Sequence, residues 1–416
     1  MRKHLGSPPE VTPKQREEVI TQVREYQLIT PLYGGGVAPG EADPLTVIRG
    51  SEIRGHLRFW WRACRGGQYG GNPTAIKQAE DTLWGAASTK QGGSPSQVHI
   101  QIEADTVPED AKEAPFFINK DGKLRPDEDV APAYAAFPLQ PSDKEFRARV
   151  PFKTVCSNVS FKLTISFPSA QQKDVESTIR VWETFGGIGA RTRRGFGALC
   201  LVSVDGVPNT DLPPSSREGA IAWMRHLLEQ SVVVGANPVG VPHLEPTMQF
   251  KITASSQDAK AAWKRLIQRL VSFRQARNGP RGRSYWPEPE AIRQITTRRY
   301  SDHPRKFPRA AFGLPIIFHF KDADRGEPAD QTLQGAQEGK ERLASPLILR
   351  PLVCKDNRAV GLALLLEGSR IPPPGGIILD SDPTTIVDTQ LTPAEATAIP
   401  VLLGQTDVLL AFMNYL

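Results

Sequence analysis

VSFKLTISF (159–167), DVESTIRVWETF (174–185), GGIGARTRRGFG (186–197) and ALCLVSV (198–204) follow one another closely and read as strand, helix, glycine–arginine loop and strand. In the first of these Val159, Phe161, Leu163, Ile165 and Phe167 share one face, which marks a half-buried strand. In the second Val175, Ile179, Trp182 and Phe185 recur at helical spacing. The loop holds glycines in pairs around Arg191, Arg193 and Arg194. Paired glycines permit positive φ and let backbone amides come close to phosphate oxygens, while arginines supply charge. The loop follows a helix and enters a strand, and the chain holds no GK[ST] triplet, so neither a dinucleotide fingerprint nor a P-loop is present. By itself such a loop serves as well for a structural turn.

Upstream, EVITQVREYQLI (18–29) reads as a first strand running into TPLYGGGVAPGEADP, with three consecutive glycines at 34–36. IRGSEIRGHLRFWWRACR (48–65) then separates into two faces at the helical period. Arg54, Arg58, Arg62 and Arg65 form one stripe; Ile53, Leu57, Trp60, Trp61 and Cys64 form the other. Ser51 reads as the N-cap. The arginines have no carboxylates four residues away on the same stripe, so the helix alone leaves them repelling one another. That predicts an anionic partner, and guanidinium suits phosphate because it donates two parallel hydrogen bonds. The competing reading is a solvated face of an amphipathic helix. Residues 88–148 read as an irregular insertion, acidic over 103–148, with a short strand at 98–103; such composition predicts a mobile or partner-ordered loop.

Element order therefore predicts an α+β fold of two ferredoxin-like (RRM-like) domains packed together with a basic cleft between them. The expected N-terminal domain spans 1–205, GVPNTDLPPSSREG supplies a linker at 206–219, and the C-terminal domain spans 220–416. In the latter, MQFKITAS (248–255) alternates as a strand and 258–276 is an amphipathic helix. Residues 277–308 read largely as basic, aromatic loop; GLPIIFHF (313–320), SPLILRPLVCK (345–355) and AVGLALLLEG (359–368) are strands. Asp356-Asn357 marks a hairpin turn between the last two, and the terminal VLLGQTDVLLAFMNYL reads as a helix.

A chain of 416 residues can bury a sizeable core and is expected to make two domains. No run of 18 apolar residues occurs and the first residues lack a signal-peptide core, so a cytoplasmic location without membrane partners is expected. Cys64, Cys156, Cys200 and Cys354 are far apart, which disfavours structural zinc and a disulfide framework. The formal charge is +6, but residues 264–309 alone carry +10, leaving −4 for the rest. Charge so concentrated is expected of a nucleic-acid footprint.

A loop of pattern GφG-x5-GφG between the last helix and last strand of a ferredoxin-like domain resembles the RAMP superfamily of CRISPR proteins. ITPLYGGG, IRGSEIRGHLRFWWRA, RGRSYWPEPEAIR (281–293), FGLPI (312–316) and RLASPLILRPL (342–352) narrow the resemblance to the first subunit of the type III-B Cmr effector complex. The resemblance implies two ferredoxin-like domains, other Cmr subunits as partners, and contact with guide and target RNA near the guide 3′ end. It also implies no catalytic role, since target cleavage in that family is assigned to another subunit. The 103–148 insertion and the far C-terminus hold no matching motif.

The candidate RNA-binding residues are Arg49, Arg54, Arg58, Arg62 and Trp61 on the first helix, and Gly187, Gly189, Arg191, Arg193 and Arg194 on the loop. Arg281, Arg283, Tyr285 and Trp286 join them from the basic stretch, where cations meet phosphates and aromatics stack on bases. Tryptophans at helical spacing are more often core than stacking platforms, and Trp60, nearer the centre of the apolar face, is expected inside. His56, among arginines, is expected to stay neutral and could act as general base. The alternative function is therefore a metal-independent endoribonuclease processing repeat RNA. A third reading is a scaffold whose basic surface meets acidic faces of sister subunits. Histidine spacing indicates no metal site, no cofactor is implied, and no convincing acid–base partner for His56 is legible.

Overall fold

In SFKLTISFP the side chains of Phe161, Leu163, Ile165 and Phe167 are buried while Ser160 and Lys162 are exposed, so the predicted alternation is the observed one. A computed structural model describes residues 18–36, 40, 42–43, 46–89, 92–104, 111–279, 282–297, 305–320, 326–368 and 372–416. Its first half contains β1 (Val19–Leu28), α1 (Gly50–Arg65), α2 (Pro73–Trp84), β2 (His99–Ala104), β3 (Ser160–Pro168), α3 (Gln172–Phe185) and β4 (Leu199–Val204). The strands form one antiparallel sheet in the order β4-β1-β3-β2, extended beyond β4 by the short strand Val207–Pro208. Tyr26 faces Phe161 across the register, and α1 and α3 pack against each other. Trp61, Trp182, Phe185 and Ile179 are completely or almost completely buried there.

The second half contributes α4 (Arg217–Ser231), β5 (Phe250–Ile252), α5 (Ala259–Arg274), α6 (Glu288–Thr297), β6 (Ile316–Phe318), β7 (Gln331–Gly335), β8 (Leu347–Val353), β9 (Ala359–Leu365), β10 (Ile377–Leu379) and α7 (Val408–Tyr415). The antiparallel sheet β5-β9-β8 lies between two cores. Ile348, Leu352, Val360, Leu362 and Leu364 join the first-half core, whereas Leu347, Leu349, Ala363 and Leu365 face Trp263, Leu266 and Leu270 of α5. Cover on both faces explains why AVGLALL shows no polar alternation. The β8–β9 turn forms as expected, with Asn357 at φ 63°. A smaller sheet, β6-β7-β10, packs with α6 around Phe307 and Leu333.

Three elements depart from the expected layout. α2 and α4 occupy stretches with no assigned helix, and α6 lies inside 277–308, expected largely as loop. The described part of the 88–148 insertion is built into the fold rather than waiting for a partner. Val130, Ala131, Ala135, Ala136 and Leu139 enter the second core, and Lys264 of α5 holds Asp129 at 2.8 Å. The alternation expected at 248–255 yields only the three-residue β5.

Candidate nucleic-acid interface

The apolar stripe of α1 fixes its orientation. Ile53, Leu57, Trp60, Trp61 and Cys64 all turn inward, so Trp61 has no free face on which a base could stack. The N-cap is Arg49, not Ser51, and no side chain caps the helix. Its basic stripe then faces α2 and the chain after it. Arg58 donates Nε to Glu80 Oε1 at 2.6 Å, Nη2 to Asp81 at 3.1 Å and Nη1 to the Gly85 carbonyl at 2.6 Å. Arg62 reaches the same Glu80 oxygen at 2.6 Å, and Arg65 pairs with Asp174 at 2.6 Å. Arg54 donates to Ser96 Oγ at 2.5 Å and the Val98 carbonyl at 3.0 Å. The expected mutual repulsion is thus largely neutralised, by acids far along the chain rather than one turn away. Asn72-Pro73, the cap and first residue of α2, was the sequence signal that a second helix stood there.

Arg49 is placed differently. It donates to the Gly35 carbonyl, in the triple-glycine segment where Gly34 and Gly35 have φ of 63° and 95°. Close by, Glu52 accepts the Gly189 amide at 2.7 Å and lies 3.5 Å from His56 Nε2, while its second oxygen is buried without a partner. The immediate partner of His56 is therefore a carboxylate one turn away rather than an arginine.

The glycines of the 186–197 loop are explained within the chain. A Cβ on Gly187 would come within 2.7 Å of the Gly197 carbonyl, and one on Gly195, at φ 87°, within 2.5 Å of Trp263 Nε1. Besides Gly189, the amides of Ile188 and Ala190 bond the carbonyls of Gly197 and Tyr33. Gly187 and Gly189 thus shape the loop; the Gly189 amide is not free for a phosphate.

The loop arginines point toward the second half. Arg193 donates to the Ser345 carbonyl and lies 5.7 Å from the Phe59 ring. Arg194 is buried, donating to the carbonyls of Leu347 at 2.9 Å and Phe312 at 3.2 Å. From the opposite side Arg350, which the sequence reading passed over inside an apolar strand, donates to Gly186 at 2.6 Å and Leu199 at 2.9 Å. Burial without a carboxylate partner pushes both guanidiniums down, each to about 9. The expected cleft is closed at Arg194 and Arg350, which bond main-chain carbonyls across the seam between the halves.

Arg191, in the left-handed region at φ 58°, is only half-buried and stands beside Tyr33, Tyr134 and Arg274. In the basic stretch Arg283 is exposed, 3.4 Å from Glu290, and Tyr285 is half-buried. Trp286 is in the core, donating Nε1 to the Phe273 carbonyl at 3.0 Å, so it has no stacking face. Arg281 lies outside the described residues, as do Arg298, Arg299, Tyr300 and His303. Of the described candidates, Arg283 is therefore exposed, while Arg49, Arg54, Arg58, Arg62, Arg191, Arg193 and Tyr285 are half-buried, as is Arg274, which the sequence reading had placed on a helix without a role. No group of three or more His, Cys, Asp or Glu side chains suited to a metal ion occurs among the described residues. None of their helices is long and apolar enough to cross a membrane.

Within this mixed α+β fold with antiparallel sheets, residues 25–200, which include the glycine–arginine loop, match the RAMP superfamily. The resemblance read from the sequence is thereby borne out, and it is narrower than the superfamily. Over 180 residues the chain is 23% identical to the CRISPR system Cmr subunit Cmr1-2 of Pyrococcus furiosus, an alignment covering 42% of this chain and 91% of that protein. Its fold is similar to the apo crystal structure of Cmr1 from Pyrococcus furiosus, with TM-score 0.51, 14% identity, and 87% of this chain and 94% of that one covered. It is likewise similar to a chain of the type III-B Cmr-beta complex bound to cognate target RNA and AMPPnP in the presence of ssDNA. There the TM-score is 0.52, the identity 13%, and the coverage 96% and 99%.

Proposed function

We propose that this chain is a non-catalytic RNA-binding subunit of a type III-B CRISPR ribonucleoprotein, contacting RNA near the guide 3′ end and helping to capture target RNA. The supporting observation is the group of half-buried arginines, Arg49, Arg191, Arg193 and Arg274, around the glycine–arginine loop of a RAMP-like fold. In such assemblies base pairing reads sequence, and the protein needs only charge and shape. We read the halves as two ferredoxin-like domains joined at 206–219. The first has the βαββαβ order with sheet 4-1-3-2; the second has three strands in order 1-3-2 with α5 against them.

The test is titration of end-labelled single-stranded RNA with the purified chain at several salt concentrations. The reading expects intact RNA and a linear fall of log K with log salt. A flat plot removes the phosphate interface. Metal-free cleavage to a 2′,3′-cyclic phosphate, abolished by His56→Ala, would replace this reading with the endoribonuclease.

A further inference from the structure

Where the loop, the C-terminal end of α5 and the segment before β6 meet, four arginines gather around too little negative charge. Arg309 donates Nη1 to the Arg274 carbonyl at 2.9 Å. The Arg274 guanidinium carbon stands 5.3 Å from the Phe312 ring centre and 5.8 Å from that of Tyr134, and Arg194 bonds the Phe312 carbonyl. Arg191 neighbours both Tyr134 and Arg274. Glu288, fully buried, has its Oε1 3.1 Å from Arg309 Nε, and its charge also reaches Arg274. No carboxylate pairs with Arg191, Arg194 or Arg274 among the described residues, so four positive charges meet one negative charge.

The hydrogen-bond inventory points the same way. The Nε atoms of Arg191 and Arg274 are buried without a hydrogen-bond partner, and so is the second oxygen of Glu288, whereas Arg309 Nε is held by its ion pair with Glu288. Two orphaned guanidinium donors at one place are costly, because each has lost water without replacement. Burial, followed by the charges of Arg274 and Arg191, depresses Arg194. Arg194 is buried and the Arg309 side chain is 12% exposed, but Arg191, Arg274 and Tyr134 each keep part of their surface in solvent, so the cluster is approached from their side. Guanidiniums stacked on aromatic rings with donors unspent are organised to receive a tetrahedral oxyanion.

We propose that Arg191, Arg194, Arg274 and Arg309, flanked by Tyr134 from the insertion, form a phosphate-binding pocket that takes a phosphoryl group of the bound RNA. The assignment to RNA rests on the function proposed above; the pocket itself does not. It gives the insertion a role, since Tyr134 is carried by the helix Ala133–Ala136 packed against α5. The phosphoryl group can be a backbone diester or a terminal monoester, and the charge excess suits either.

The experiment has two arms. In the first, thermal unfolding of the full chain is followed against inorganic phosphate, with sodium chloride at matched ionic strength as reference. A saturable rise in Tm with phosphate is expected, with apparent affinity weakened about tenfold or more in Arg274→Gln and in Arg191→Gln. Lys123→Gln, on the exposed hairpin at 116–126, should leave it unchanged. Arg191 lies at the surface of the loop, so its variant remains informative should Arg274→Gln fail to fold. In the second arm, RNA carrying a 3′-phosphate, a 5′-phosphate or hydroxyl ends is bound in competition with phosphate. Competition with every RNA assigns the pocket to the backbone, and competition with one phosphorylated end assigns it to that terminus. Saturable phosphate binding without competition overturns the RNA assignment. No phosphate-specific shift, with RNA bound equally by wild type and Arg274→Gln, overturns the pocket and leaves the RNA-binding reading standing.

Discussion

Arg58→Ala separates a binding role for the α1 stripe from a structural one. The side chain makes two hydrogen bonds to carboxylates, at 2.6 and 3.1 Å, and one to a carbonyl at 2.6 Å. Glu80, whose side chain is 3% exposed, receives the shortest of the charged contacts. Leaving a buried charge wholly unpaired costs about 3–5 kcal/mol. Here Glu80 keeps Arg62 and Asp81 keeps Lys77, and Arg58 itself is 24% exposed, so part of that cost is screened or retained. The expected loss is about 2–3 kcal/mol, summed from weakened charge-assisted bonds and an orphaned Gly85 carbonyl. Urea unfolding followed in parallel by tryptophan fluorescence and far-ultraviolet circular dichroism measures it, provided the two transitions coincide. RNA affinity should fall less than about threefold, since only a long-range charge is removed from the interface. An Arg58→Ala chain that keeps its stability within about 0.5 kcal/mol but binds RNA ten times more weakly would refute the structural assignment.

Further outcomes follow from the same geometry. Gly195→Ala should cost about 2–4 kcal/mol, because φ is 87° and the added carbon meets Trp263. Gly55→Ala, in mid-helix with nothing within 4 Å, should instead stabilise the chain by about 0.5–1 kcal/mol in the same urea assay. Trp61→Phe should lower stability while leaving RNA affinity intact, whereas Tyr285→Ala should weaken RNA binding by about 1–3 kcal/mol if it stacks on a base. On acidification, Asp81, Asp129 and Asp388 lose stability held through Lys77, Lys264 and Lys306. Each has a folded value below the unfolded 3.8, so its contribution is complete above that pH and disappears as pH falls through the folded value. The urea midpoint should hold between pH 7 and about pH 5 and drop below about pH 4.

From the sequence alone came the first-half strands with helices α1 and α3 but not α2, the loop that joins α3 to β4, the inward face of α1 and the superfamily resemblance. These follow from patterns of period two and 3.6 and from glycine spacing, which act over a few residues. The electrical state of the arginines was not legible there. Glu80 reaches Arg58 from 22 residues along the chain, and Arg350 reaches Gly186 across 164, so no local pattern records either contact. Likewise Trp286 reads as an aromatic beside arginines, but packing against Phe273 takes it into the core. Sequence determined where positive charge lies along the chain. The tertiary structure decided which charges are neutralised, which are spent on carbonyls, and which meet in one cluster with donors unused, because burial and pairing depend on distances in space.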